Sequence, residues 1–355
     1  MKDLKYLAAY LVPLSALLAL QWGGAWAWAT VVFSFGILPV LDALMPASPT
    51  NYTPLEEESR LKNTLFDWLL YACLPICYAL VWLYFQALGT GQFSPAEIAG
   101  MTVSMGIVLG SMGINVAHEL GHRPGQTEQF LAKMLLLPTL YMHFFIEHNR
   151  GHHKHVSTDR DPASARKGEA LYPFWVRSVV GQIRSAWHLE AERLEKSGQP
   201  ALGWQNELLR FAFFEAAYLV AVGLAFGWGM VPFAVAIAVT AVLMLETVNY
   251  IEHYGLRRRL LPSGRPEPVS PVHSWNSDHE MGRIFLFELT RHSDHHFKST
   301  RKYQVLRHLD ESPQLATGYP GSMLLALVPP LWFRVMDGRI ASATTRPIAP
   351  EMLVD

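Results

Sequence analysis

The feature that most constrains this chain is a series of six apolar stretches, roughly Leu4–Gln21, Ala25–Leu44, Phe66–Leu88, Ala96–Ala117, Leu208–Phe226 and Met230–Ile251. A hydrocarbon core about 30 Å thick needs about 20 apolar residues of helix to cross it. In lipid only helices and closed barrels pair all their backbone polar groups. The expectation is therefore an all-α integral membrane bundle of six transmembrane helices, a single membrane domain over residues 1–355. Trp22–Gly24 and Gly227–Gly229 are short and carry Trp, which suits hairpin turns at a membrane interface, and Gly89–Pro95 is a similar polar turn.

Lys and Arg set the orientation. Lys2 and Lys5 precede the first stretch, and Arg60 and Lys62 lie between the second and third. The others follow the fourth or sixth, apart from Arg210 at the foot of the fifth, and the three proposed outer turns have none. By the positive-inside rule, both termini and the segments 118–207 and 252–355 are cytoplasmic. The run Gln129–Phe145 is apolar but interrupted by Lys133, Pro138 and His143. Counting it as a crossing would put His118 and His148 on opposite sides, so it reads as a helix lying in or dipping into the inner interface. Residues 340–355 read as a polar tail.

Composition removes several classes. With a net charge of -1, nothing global suggests a nucleic-acid partner. Two cysteines, Cys73 and Cys77, rule out a disulfide scaffold and any built-in four-Cys iron or zinc module. Fifteen histidines in 355 residues are far above ordinary usage, and most fall in four groups near the cytoplasmic mouths. These are His118-Glu-Leu-Gly-His122; Glu147-His148-Asn-Arg-Gly-His152-His153-Lys-His155; Asn249-Tyr-Ile-Glu252-His253-Tyr-Gly; and Leu289-Thr-Arg-His292-Ser-Asp294-His295-His296.

Residues three or four apart share one helix face. His118 with His122, His148 with His152, and His292 with His295 or His296 can each aim a pair at one ion. Imidazole suits Fe, Zn, Cu and Ni, and nine histidines, leaving His155 aside, are too many for one ion and suit two. The isolated His143, His188, His273, His279 and His308 read as ordinary buried or interfacial side chains. His118-Glu119-x-x-His122 also matches the zinc metalloprotease pattern, but a protease would leave most of the cluster unexplained.

In this order, H-E-L-G-H, E-H-x-x-G-H-H, N-Y-x-E-H-Y-G and L-x-R-H-S-D-H-H resemble the signature of the membrane alkane hydroxylases (alkane 1-monooxygenases), within the membrane di-iron oxygenases and desaturases. The resemblance runs from the first apolar stretch to His308-Leu-Asp-Glu-Ser-Pro-Gln-Leu and Tyr319-Pro-Gly, nearly the whole chain. A small departure is Arg123, where Lys would be expected after the first box. The resemblance implies a six-span fold with a cytoplasmic helical cap holding two non-haem Fe ions. It implies hydroxylation of the terminal methyl of medium- to long-chain alkanes with dioxygen. Carried over residue by residue, the ligands are His118, His122, His148, His152, His153, His253, His292, His295 and His296. It also implies electrons from an NAD(P)H-dependent reductase through rubredoxin, here a separate protein because the chain lacks four cytoplasmic Cys.

An unactivated methyl offers no charge or acidic proton, so metal-bound oxygen must supply the reactivity, and an apolar substrate can arrive from the lipid. Metal-bound His usually passes its second N–H to a carboxylate or carbonyl, which makes Glu246, Asn249, Glu252, Asp294 and His155 candidates beside the ligands, with Glu119 and Glu147 similar. Gly106, Gly110 and Gly113 suggest close helix packing in the fourth stretch. Lys298, Arg301, Lys302 and Arg307 form a basic segment suited to an acidic electron-transfer protein. The rivals are a fatty-acyl desaturase, whose second box usually reads H-x-x-H-H rather than H-x-x-x-H-H, a related hydroxylase, and a xylene-type methyl hydroxylase. A metal transporter would be expected to place His or acids at mid-membrane; here the His lie at one mouth and, apart from acids at the very ends of the stretches, only Glu215 and Glu246 lie within them.

Overall fold

The computed structural model describes residues 2–344. Six of its helices are long and apolar enough to cross a membrane: Asp3–Trp22, Gly24–Leu44, Leu65–Gly89, Pro95–Gly121, Glu207–Phe226 and Trp228–His253, here spans one to six. They coincide with the six apolar stretches to within a few residues. The differences lie where chemistry begins: span four continues through His118 to Gly121 and span six through His253, so the first and third histidine boxes begin on the last turns of spans. Outside helices and turns the described residues hold only isolated bridges, Leu260 with Pro266 and Asn276 with Gln314.

Local sequence explains several boundaries. Ser94 and Glu97 form a capping box with Pro95 in the first turn, which starts span four. Thr53, Glu56 and Pro54 do the same for Pro54–Lys62. Gln126–Leu136, inside the doubtful apolar run, is an 11-residue helix about 16 Å long, half a hydrocarbon core. It passes into a short turn at Pro138 and ends where Leu140 takes a left-handed conformation, φ 51°. Lys133 pairs with Glu207 at 2.5 Å, and Glu215 accepts the backbone N–H of Met142 at 2.7 Å. The run is thus held by groups that a spanning helix would have no reason to carry.

Two compact units emerge: residues up to Ile37, Thr64–Glu147 and Ala186–Leu245 in the first; Leu38–Asn63, His148–Ser185 and the chain from Glu246 onward in the second. In the first, span four is the core, 78% buried against 17% for span five. A Cβ on Gly106 would stand 2.3 Å from Thr240, and one on Gly110 2.9 Å from Met244 Sδ, so these glycines let spans four and six touch backbone to side chain. A Cβ on Gly113 would meet only ordinary contacts.

The second unit holds much that periodicity did not announce. Leu171–Lys196, whose first half belongs here, is a 26-residue helix. Pro329–Thr344 is helical, so helix runs into the first residues of the expected polar tail; residues 345–355 lie outside the described residues. Tyr254 ties this helix down by donating to Asp337, 2.8 Å, while accepting the N–H of Gly168.

Candidate metal centre

The second unit gathers seven of the histidines into two sets. Nε2 of His153 lies 3.0 Å from Nε2 of His148 and 3.2 Å from Nε2 of His295. Nε2 of His152 lies 3.2 Å from that of His296, and Nε2 of His292 lies 3.2 Å from that of His253. The ligand atoms of His152, His253, His292 and His296 are all within 4.8 Å of one another, as are those of His148, His153 and His295.

A neutral ring nitrogen carries one proton or one lone pair, so Nε2 of His153 cannot satisfy two nitrogens at once by hydrogen bonding. A cation accepts every lone pair together. Two nitrogens each about 2.1 Å from one ion and at right angles are about 3.0 Å apart, the spacing seen here. Burial, reinforced by the neighbouring rings, holds His296 well below the usual imidazole range, so it stays neutral with its lone pair available. The residues fit a metal cofactor.

The sets correct the pairing expected from helical spacing. His148–His152 is wound as a π-helix, in which i and i+5 rather than i and i+4 come round to one face. His148 therefore joins His153, while His152 turns to the other set. On the next box, carried by His292–Phe297, the open alternative resolves: His292 shares a set with His296, and His295 goes with His148 and His153. In the first unit His118 and His122, at the end of span four, have ring centroids 5.2 Å apart.

Groups around the ligands divide into those anticipated and those missed. Glu252 lies beside the ligands but not on the nitrogen expected: Oε2 is 3.2 Å from Nε2 of His292, the nitrogen that also faces His253, and Oε1 accepts from the Tyr319 hydroxyl at 2.8 Å. Asp294 accepts Arg301 on both oxygens, 2.6 Å each, and the backbone N–H of Arg307. Glu246 accepts from Gln182 at 2.8 Å and Asn249 at 3.4 Å, an interhelical link. His155 is half-buried and belongs to neither set. Glu147 is buried.

Asp161 was missed. It is buried, 3.0 Å from Nδ1 of His152, and is held in place by Ser164 and the N–H of Ala163. Burial alone would raise its carboxyl, but His152, with His253 and the Ser164 hydroxyl, holds it below the usual range. Tyr319 and Gln182 were missed as partners too. The only sequence signal for Asp161 was the general need of a buried ligand for a carboxylate behind it.

Arg123, the departure after the first box, explains itself. Its buried guanidinium donates to Asp67 at 2.6 Å and twice to Glu119, 3.2 and 3.3 Å; a planar fork bridges two carboxylates where a lysine offers one point charge. The same fork occupies the glutamate that the protease pattern needs as base. In the basic segment, Arg301 is committed to Asp294, and Arg307 to Glu57 at 2.6 and 2.7 Å; Lys298 is exposed. His273 contacts Glu267, His308 contacts Asp278 and His279 contacts Ser277, and none of these joins either set.

Comparison with known proteins gives the same direction. The fatty acid desaturase family model matches residues 93–323. The chain is 42% identical over 333 residues to alkane 1-monooxygenase 2 of Pseudomonas aeruginosa, covering 93% of this chain and 88% of that protein. It is 41% identical over 353 residues to alkane 1-monooxygenase 2 of Alcanivorax borkumensis, 96% and 91% covered. Similarity to the xylene/toluene monooxygenase hydroxylase component of Pseudomonas putida is lower, 27% over 340 residues.

Proposed function

Since this chain belongs to the alkane 1-monooxygenase family, we propose that it hydroxylates the terminal methyl of medium- to long-chain alkanes at a pair of non-haem irons. It is an integral membrane oxidoreductase, and it carries a metal cofactor held by histidines. The observation that carries the proposal is the sorting of seven imidazoles into two convergent sets. The proposed ligands are His148, His153 and His295 for one ion and His152, His253, His292 and His296 for the other, with His118 and His122 supplying the rest of the nine. An all-imidazole donor set of this kind is compatible with iron.

When bound, the irons would supply the activation of dioxygen that an inert methyl requires. The chain's own residues do the rest. Asp161 fixes the His152 ring by accepting its Nδ1–H, so that Nε2 faces the ion. The Tyr319 hydroxyl holds Glu252, whose other oxygen lies 3.2 Å from Nε2 of His292 and so stands beside the imidazole donors. Apolar span walls admit a substrate dissolved in the bilayer and exclude water. Both termini and the metal site are proposed to be cytoplasmic in a bacterial inner membrane, the whole chain acting as one membrane domain.

A separate rubredoxin, reduced by an NAD(P)H-dependent reductase, is the proposed electron donor, docking at the basic segment that includes Lys298, Arg301, Lys302 and Arg307. With two of these committed to internal pairs, exposed Lys298 is the charge most directly offered to a partner. Reversing Lys298 and Lys302 to Glu should raise the apparent KM for rubredoxin and flatten its salt dependence; no change in either removes that surface from consideration.

The deciding experiment is metal content of the purified protein combined with an octane-to-1-octanol assay with reductase, rubredoxin and NADH. About two irons per chain with 1-octanol formed supports the reading. Irons without alkane oxidation would move the substrate to fatty acyl chains or aryl methyls. One zinc and no oxygen-dependent product would overturn the metal assignment.

A further inference from the structure

A helix on the surface of a water-soluble domain buries an apolar stripe and exposes a polar one. The first half of Leu171–Lys196 does not. Leu171, Phe174, Ser178 and Gln182 are buried, while the opposite face exposes Tyr172, Val176, Val180 and Ile183, with Val176 at 68% and Ile183 at 45%. A second exposed apolar strip adjoins it: Leu324 and Leu327, Val328 and then Leu331, on and between Tyr319–Ala326 and Pro329–Thr344. The two are joined directly, since the Tyr172 hydroxyl donates to the carbonyl of Leu327 at 2.7 Å. Scattered exposed apolar residues need no explanation, but a continuous patch does.

Contacts with span six fix the level of this patch. Phe174 stacks edge-on against Tyr250, ring centroids 5.3 Å apart; Trp175 Nε1 donates to Thr247 Oγ1 at 3.1 Å; and Gln182 donates to Glu246 at 2.8 Å. Eight residues of one helix, about 12 Å, thus meet only the four-residue step from Tyr250 to Glu246, about 6 Å. Helices running side by side would match step for step, so this helix crosses the span. Span six has 26 residues, about 39 Å, some 9 Å more than the hydrocarbon requires. Glu246 lies about 10 Å back from the end at His253. Even if all the excess projects at the His253 end, the contact at Glu246 sits at the hydrocarbon edge.

We propose that Tyr172, Val176, Val180 and Ile183, together with Leu324, Leu327, Val328 and Leu331, form an in-plane surface seated in the lipid leaflet on the side of the histidine sets. Its occupant is phospholipid acyl chain, continuous with the lipid around span six. This depth, several ångströms into the headgroup–acyl boundary, is the one amphipathic helices adopt. The inference rests on the chain being a membrane protein and is independent of the substrate assignment.

The test places one cysteine at a time, Val176→Cys, Val180→Cys and Leu331→Cys, in the full-length protein, with Asp310→Cys as a water-facing control because that side chain is 99% exposed. The native Cys73 and Cys77 are buried. Each variant is spin-labelled in phosphatidylcholine/phosphatidylglycerol vesicles and its collision rates with oxygen and with a water-soluble nickel chelate are measured; unchanged metal content shows that the fold survives. The three patch positions should show an oxygen-to-nickel ratio several-fold above that at Asp310. A ratio equal to that at Asp310 means the patch faces water and overturns the proposal. Exclusion of both reagents means that protein, in this preparation a second copy, covers it, and overturns it equally.

Discussion

At the scale of single residues, the centre depends on side chains that are not ligands. Asp161 is the clearest. Asp161→Asn keeps the shape and the oxygen that accepts from His152 but removes the charge, so it isolates electrostatics from packing. Loss of such a partner usually weakens metal binding about 10–100-fold. Chelator competition against the purified protein should show a weakening of that order, and an unchanged midpoint would mean that His152 is oriented by its surroundings alone. His143, in the first unit, makes a different prediction. Buried against Tyr141, with ring centroids 4.2 Å apart, its imidazole is pushed down to about 4, against about 6.5 in an unfolded chain. Between those values the unfolded state binds the extra proton, so its contribution to stability is complete above about pH 6.5 and declines as pH falls towards 4. At pH 5 the loss is about 2 kcal/mol. Against His143→Asn, which cannot titrate, the wild-type advantage in Tm should shrink from pH 7 to pH 5; a constant difference would show that the ring takes up its proton within the fold.

At the scale of elements, close approach of helices is the property most exposed to mutation. Gly106 faces Thr240 with no room for a Cβ, Gly110 packs on the flexible Met244 side chain, and Gly113 has ordinary space. Gly106→Ala should cost about 1–3 kcal/mol through overpacking, read as a lower Tm in detergent, while Gly113→Ala should lie near wild type. Equal effects at both positions would place the helix contact elsewhere. The same elements show what a sequence discloses. The spans were legible because lipid imposes a length and a polarity that few other pressures imitate, and Lys133 stood out because charges are scarce within such runs. His153 was visible as a histidine but not as the partner of His148, because spacing arguments assume an α-helix and the π turn at His148–His152 has a different period. Asp161 was invisible because a loop brings it to His152 and no period runs through a loop. The lipid-level helix from Leu171 escaped notice because its apolar stripe is flanked by Arg177 and Arg184, and because the polar groups that seat it, Gln182 and Ser178, lie on the buried side.

At the scale of the whole molecule, the histidines tie stability to metal. Seven of them come from three separate stretches of the second unit, His148–His153, His253 and His292–His296, so ions on them would fasten together segments that are far apart in sequence. A metal bound only by the folded state adds RT ln(1 + [L]/Kd), about 4 kcal/mol at a thousandfold excess over Kd. Stripping the metal should therefore lower Tm by several degrees, and restoring it should recover the loss. Two sets imply more than that. His253→Ala damages only the set of His152, His253, His292 and His296, and His148→Ala only the other. Each should leave about one metal per chain, and the double variant none. Metal content and Tm measured on the same samples check this. If either single variant empties the protein, the sets fill as one cooperative unit, because the element His292–Phe297, which serves both, orders only when both ions are present.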